Sequence, residues 1–167
     1  QARLQNRGAT IFGYPVADPS AFGVAEVNKD GRVVSIAEKP QEPKSNLAVP
    51  GLYFFDNSVI ERALDVKKSW RGEYEIVSVL ESYLKEERLM LTQLGRGYAW
   101  FDAGTFDGLL EVSNFVKAVQ SRQGLKIACP EEIALAKGWL SQSDLLHVIS
   151  NQSSNSYWAY VGDLLSE

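Results

Sequence analysis

The stretch FGVAEVNKDGRVVSIAEKP, Phe22 to Pro40, decides how this chain is read. Val24 and Val27 on one side, and Val33, Val34 and Ile36 on the other, supply β-branched residues around Asn28-Lys29-Asp30-Gly31. Apolar, β-branched runs flanking an Asn/Asp/Gly turn predict a β-hairpin. Gly23, opening the first strand, leaves backbone bare where a ligand or another chain segment can approach closely. Pro40 ends the second strand because it has no N–H to donate to a ladder. Glu38 and Lys39 stand side by side just before it. Neighbours on a regular strand point to opposite faces, so both can serve one pocket only if the strand ends or bulges there. On spacing alone the pair reads as solvated charges at a strand end.

Working outward, Ala9 to Val16 is a β-rich run closed by Pro15 and by the Asp18-Pro19 turn. The residues before it, 1–7, read as the tail of a helix. Gln41 to Asn46 is a polar loop, and Leu47 to Phe55 is a nearly continuous apolar run with a bend predicted at Pro50-Gly51. Asp56-Asn57-Ser58 predicts a cap on a short helix from Val59 to about Val66. The clearest helix spans Glu73 to Glu87, with Ile76, Val79, Leu80, Tyr83 and Leu84 along one face. Met90–Leu94 and Tyr98–Phe101 read as strands on either side of Gly95-Arg96-Gly97. A long helix from about Asp107 to Gln120 follows, with Leu109, Leu110, Val112, Phe115, Val116 and Val119 largely on one side. From Gln123 the pattern is helical: Pro130 to Lys137, then Leu145 to Ser150 capped by Ser141-Gln142-Ser143-Asp144, then Tyr157 to Leu165.

Composition narrows the function classes. The 167 residues are of single-domain size, 45% hydrophobic and 23% charged, as expected of a globular domain. A net charge of −4, with 17 basic and 21 acidic residues interleaved, argues against a nucleic-acid or anionic-membrane surface. The single cysteine, Cys129, excludes an internal disulfide framework and points to a reducing, cytoplasmic setting. No apolar run approaches bilayer length. P-loop, dinucleotide-fingerprint, HExxH and paired-cysteine patterns do not occur.

Several residues could carry chemistry. Asp102, in Trp100-Phe101-Asp102-Ala103-Gly104-Thr105, sits between a strand end and a helix start, where ligands gather in open α/β sheets; a turn-former or helix cap is the plainer reading. Arg71 is either a solvated loop charge or an anion-binding group. Glu73 suits the first turn of a helix, as do Glu131 and Glu132. Tyr98, Trp70 and Trp100 read as core aromatics. His147 reads as structural or interfacial, and Cys129 as a small buried hydrophobe.

The ordered set GVAE…EKP, PKSNLAVPGLYFFD, RGEYEI, GRGYAWFDAGT and RQGLKIACPEEIA resembles the second half of the glucose-1-phosphate thymidylyltransferase family of sugar nucleotidyltransferases, which opens the dTDP-L-rhamnose pathway. The resemblance implies a mixed-sheet α/β body, the sugar-binding half of a nucleotidyltransferase-type Rossmann-like fold, followed by a C-terminal helical subdomain. It divides the chain into a sugar-phosphate part, 1–122, and a helical tail, 123–167, with oligomeric or regulatory roles. The family's nucleotide-binding half, which takes dTTP, has no counterpart in these residues. Carried over by position, Lys39 and Arg71 contact the phosphate of glucose 1-phosphate, and Glu38 receives sugar hydroxyls. Gly23 brings its backbone to the sugar, and Asn46, Val49 and Tyr53 wall the pocket. Asp102 binds the catalytic Mg²⁺, although Ala103 and Phe106 depart from the usual threonine and histidine. The family also implies a homotetramer. Ile133–Lys137 lack its usual aromatic-arginine pair, which predicts weakened end-product control. Two other readings are a uridylyltransferase or related nucleotidyltransferase, and a non-catalytic sugar-phosphate-binding or oligomerisation module.

Overall fold

The computed structural model describes residues 8–69 and 71–165, so the expected helix tail over 1–7 and the core reading of Trp70 fall outside the described residues. The element order is β1 (Ala9–Pro15), β2 (Gly23–Val27), β3 (Val33–Glu38), β4 (Leu47–Ala48), β5 (Tyr53–Phe55), α1 (Val59–Leu64), α2 (Ile76–Lys85), β6 (Leu89–Gln93), α3 (Phe106–Gln123), α4 (Pro130–Ala136), α5 (Gln142–Ser150) and α6 (Ser156–Asp163). The chain divides into two compact units between Trp100 and Phe101.

The first unit is an α/β body on a six-stranded mixed sheet. Its hairpin forms where the sequence predicts. Gly31 adopts φ +77°, a left-handed conformation that glycine takes without strain. Asn28 Oδ1 accepts from the N–H groups of Asp30 and Arg32 at 3.0 Å each, tying the turn with its own side chain. β2 and β3 pair antiparallel from Gly23–Glu38 to Val27–Val33, with a bulge between Glu26 and Val27.

β1 is the central strand. Ile11 pairs with Leu91 of the parallel β6 and with Tyr53 of the antiparallel β5, so both its edges are occupied. From Ile11–Tyr53 to Tyr14–Ala48, three steps along β1 face five along its partner, so the Pro50-Gly51 bend absorbs two extra residues. β4 then passes the sheet on to β2 through Ala48–Val24.

α2 covers this sheet. Val77, Val79, Leu80 and Tyr83 are buried against Ile11, Ala25, Val33, Ile36 and Leu89. The helix begins at Ile76, three residues later than expected, and its buried face starts at Val77, leaving Ile76 exposed. The cap of α1 also shifts: Asp56 Oδ1 accepts from the Ser58 N–H (3.1 Å) and hydroxyl (2.6 Å), so Asp56 does the tying. The strand expected at Tyr98–Phe101 does not form. The Tyr98 N–H donates to the Gly95 carbonyl at 3.2 Å and its carbonyl accepts from the Tyr14 hydroxyl at 3.2 Å, so its backbone groups serve a turn and a side chain rather than a ladder. Trp100 packs instead edge-on against Phe22, ring centres 5.0 Å apart, while Tyr98 is exposed rather than core.

In the second unit, α3 carries its apolar stripe outward, and none of its residues is buried among the described ones. α4, α5 and α6 share a small core of Cys129, Leu145 and Val161. Ser141 and Asp144 form a reciprocal capping box, so α5 starts at Gln142 rather than at Leu145. Glu131 and Glu132 lie in the first turn of α4 as expected, and they also receive the hydroxyls of Tyr157 and Tyr160, pinning α4 to α6. Cys129 is buried and free, its thiol within 3.4 Å of the Tyr157 hydroxyl. His147 is exposed beside Asp144, not part of an apolar face.

Candidate active site

The end of β3 meets the geometric condition set by its sequence. The strand stops at Glu38, and Lys39 adopts φ +41°, a left-handed conformation that non-glycine residues rarely hold. The Lys39 N–H donates to the Phe22 carbonyl at 3.0 Å, anchoring the turned backbone. The alternation that would send Glu38 and Lys39 to opposite faces is thereby broken. Backbone strain of this kind concentrates at functional sites.

Around Glu38 the first unit brings together five of the predicted residues. Gly23 is its cross-strand partner, and a Cβ on Gly23 would stand 3.3 Å from Glu38 Oε2 and 3.9 Å from Val49 Cβ. The missing side chain keeps one side of the carboxylate bare. The Val49 N–H donates to the Gly23 carbonyl at 2.8 Å, which fixes that wall. Tyr53 is close enough that the Glu38 charge, after burial, helps to raise its phenol pKa. Arg71 Nη1 lies 3.8 Å from Glu38 Oε1. Asn46 is exposed, its carbonyl accepting from the Val16 N–H at 3.0 Å, and its side chain does not join these contacts.

Arg71 is held by more acid than its charge can satisfy. Nη2 lies 3.0 Å from Glu73, and Nη1 lies 3.4 Å from Glu75 as well as near Glu38. Nη1 is buried and has no hydrogen-bond partner among the described residues. A buried guanidinium nitrogen without a hydrogen bond is costly, and a site that tolerates one is a candidate for a ligand. Glu38 shows the same tension. Burial raises its pKa, Glu75 and Glu73 add to that, and Lys39 and Arg71 oppose it. A carboxylate pushed upward by desolvation and neighbouring charge is a candidate functional group.

Sequence reasoning missed Glu75 and Ser69. The Ser69 hydroxyl donates to Glu75 Oε1 at 3.0 Å and accepts from the Arg71 N–H at 3.2 Å. The Arg71-to-Glu75 spacing of four was the available signal. Glu73, expected in a first helical turn, lies outside α2 and serves Arg71 instead.

Asp102 belongs to the second unit. It is exposed, and its Oδ1 accepts from the Gly104 N–H at 3.1 Å. A Cβ on Gly108 would stand 2.2 Å from the Asp102 carbonyl oxygen, so the start of α3 closes tightly over this aspartate. Thr105 caps α3 through the Gly108 N–H at 3.0 Å. Among the described residues no group of three or more His, Cys, Asp and Glu side chains could hold a metal on its own. No helix of the described residues is long and apolar enough to cross a membrane.

The end of β3 thus joins a bare glycine backbone, a carboxylate of raised pKa and an arginine ringed by acids. The model of the nucleotidyl transferase family matches residues 1–119, and the chain belongs to that family. It is 49% identical over 158 residues to glucose-1-phosphate thymidylyltransferase of Mycobacterium tuberculosis strain H37Rv, covering 95% of this chain and 55% of the relative. It is 48% identical over 167 residues to the enzyme of that name from Neisseria meningitidis serogroup A, covering all of this chain and 58% of the relative. The chain thus spans little more than half the length of the curated relatives it matches. Among solved structures it is similar to a protein assigned as a glucose-1-phosphate thymidylyltransferase from Bacillus anthracis, in complex with sucrose. That likeness has TM-score 0.60 and 36% identity, over 68% of this chain and 45% of the other. A UDP-glucose pyrophosphorylase complexed with UDP-glucose resembles it at TM-score 0.57 and 27% identity, over 67% of this chain and 44% of that one.

Proposed function

We propose that the chain supplies the sugar-phosphate side of a glucose-1-phosphate thymidylyltransferase. The observation that carries the reading is Arg71, half-buried against Glu38 beside the bare backbone of Gly23, with Nη1 lacking a hydrogen bond among the described residues. In the reaction, a phosphate oxygen of glucose 1-phosphate attacks the α-phosphorus of dTTP. A new P–O bond forms, and the bond to pyrophosphate breaks with its electron pair leaving on pyrophosphate. Such transfer depends on positioning and charge neutralisation more than on covalent help. Arg71 and Lys39 meet the sugar phosphate, an arginine fork and a point-charge ammonium being its two natural partners. Glu38, an acceptor when ionised, takes sugar hydroxyls, while Gly23 and Val49 shape the wall and Tyr53 closes it. Asn46 stands at the rim.

Asp102 fits one role toward Mg²⁺. Among the described residues only its Oδ1 accepts a hydrogen bond, from Gly104, which leaves a hard oxygen to offer, and Mg²⁺ takes one or two carboxylates with substrate phosphates and water. The bound ion would offset charge on the triphosphate. Thymidylyl transfer is favoured over uridylyl transfer by the 36% identity to the structure assigned as a thymidylyltransferase, against 27% to the UDP-glucose enzyme over a similar share of the chain. The partners in this reading are dTTP and three further copies of the chain in a homotetramer. The compartment is the cytoplasm, supported by the unpaired Cys129. Ile133–Lys137 supply no arginine, so end-product inhibition is weak.

Calorimetric titration with glucose 1-phosphate tests the reading, with Lys39→Ala alongside. Saturable binding by the wild type, weakened on the order of a hundredfold in the variant, supports it. Binding that survives Lys39→Ala and Arg71→Ala unchanged removes the pocket from this site.

A further inference from the structure

We propose that Glu75 is a positioning residue that holds Arg71 at the pocket while a sugar phosphate takes the place of Glu73. The inference rests on the sugar-phosphate reading above and adds two residues with opposite roles. The two acids differ in setting: the side chain of Glu73 is 60% exposed, whereas that of Glu75 is 13% exposed. An exposed ion pair contributes little and is readily exchanged, so the Glu73 contact to Nη2 is the one a phosphate can replace. A phosphate arriving there takes over the Nη2 donors that Glu73 now holds, while Nη1 stays against Glu75.

Glu75 is fixed from behind. It stands at the N-cap of α2 with extended backbone, where a side chain would ordinarily accept a helix N–H, yet it makes no capping hydrogen bond. Its carboxylate is engaged instead by the Ser69 hydroxyl at 3.0 Å and lies 3.4 Å from Arg71 Nη1. Ser69 also holds the Arg71 N–H at 3.2 Å, so backbone and guanidinium are aimed by one connected set. The loop is closed further by Ser69 N–H to the Glu73 carbonyl at 2.8 Å and Gly72 N–H to the Ser69 carbonyl at 2.9 Å. Outer partners of this kind set the orientation of a ligand-binding group without touching the ligand. Without Glu75, a long flexible arginine is free to turn toward solvent.

The test is steady-state kinetics of the complete gene product with Glu75→Gln, Glu73→Gln and Ser69→Ala, read beside their melting temperatures. Glu75→Gln is expected to raise KM for glucose 1-phosphate about tenfold, with kcat within about threefold and the nucleotide KM unchanged. Ser69→Ala shifts KM the same way by a smaller factor, and it stands in should Glu75→Gln not fold. Glu73→Gln lowers KM for the sugar phosphate two- to threefold or leaves it unchanged, by about the worth of one exposed pair. A pH profile adds a readout that a merely structural role would not move. Glu75, Glu73, Lys39 and Arg71 all act on Glu38, and removing the Glu75 charge moves the acid limb of sugar-phosphate binding to lower pH. An unchanged KM in Glu75→Gln overturns the inference, and so does a parallel rise in both KM values with a fallen melting temperature. A KM raised by Glu73→Gln overturns the exchange. A wild-type protein with no affinity for glucose 1-phosphate overturns the site reading itself, and this inference with it.

Discussion

Two arginine–carboxylate networks sit at opposite ends of α2, and they differ in how well their members are matched. At the C-terminal end, Arg62 reaches Glu86 at 2.5 Å and the Ser82 hydroxyl at 3.0 Å, and Arg88 reaches Asp56 at 2.5 Å. Tyr83 donates its buried hydroxyl to Asp56 at 3.0 Å, with the Arg62 guanidinium 4.1 Å above its ring. The Ser58 hydroxyl, chiefly, holds the Asp56 carboxyl below its ordinary range, and Arg62 does the same for Glu86. At the N-terminal end one arginine faces three carboxylates at 3.0 to 3.8 Å, Nη1 lacks a hydrogen bond among the described residues, and the Glu38 pKa is raised. Both networks would be counted as salt bridges. The first is matched for folding; the second is matched for something that folding alone does not supply.

Breaking the matched network should give the largest effect, and on stability alone. Asp56→Ala removes the acceptor shared by Ser58, Tyr83 and Arg88. It leaves a buried tyrosine hydroxyl short of a partner, so a loss of about 3 kcal/mol is expected. That corresponds to a fall of roughly 6–12 °C in melting temperature. Affinity for glucose 1-phosphate should not change. A weakened affinity would mean that the two ends of α2 are coupled, and the contrast between them would fail.

The mirror-image substitution is Glu38→Gln. It relieves crowding among carboxylates and keeps the shape, so the melting temperature should hold or rise by a degree or two, the usual trade of stability against function. Sugar-phosphate affinity should fall about 10- to 100-fold, the worth of hydrogen bonds to a charged acceptor. Loss of both stability and affinity together would assign Glu38 to the folding network instead.

The hairpin, the bend at Pro50-Gly51 and the helical second unit were legible because local chemistry dictates them: Asn28 and Gly31 make the turn whatever surrounds it. Tyr98–Phe101 was not, since the Tyr98 carbonyl is taken by the Tyr14 hydroxyl, 84 residues away in sequence. The candidate site followed a similar division. Gly23, Glu38 and Lys39 could be named from one hairpin plus a family resemblance, and the need for a broken alternation at Lys39 followed from strand geometry alone. Glu75 could not, because a carboxylate at a helix start reads as a cap until its side chain is seen turned toward Ser69 and Arg71. The tyrosine partners of Glu131 and Glu132 were hidden for the same reason, lying 26 and 28 residues away in sequence.

The smallest expected effect is a pH dependence with two components of opposite sign. Asp56 and Glu86 have folded-state pKa values below the ordinary 3.8 and 4.5. Their contribution is therefore present above the unfolded values and is lost as pH falls through the folded ones. Glu38 is raised above 4.5. Its folded form binds a proton more readily than the unfolded chain, so its ionised state is a burden at neutral pH that lifts as pH falls through the folded value. Denaturation followed from pH 7 downward should show stability held up as Glu38 takes its proton above pH 4.5, then dropping below about pH 4 as Asp56 and Glu86 are protonated. Glu38→Gln should remove the first component and leave the second; Asp56→Ala should shrink the second and leave the first. A wild-type curve that falls monotonically from neutral pH, with both variants parallel to it, would erase the distinction between the two ends of α2.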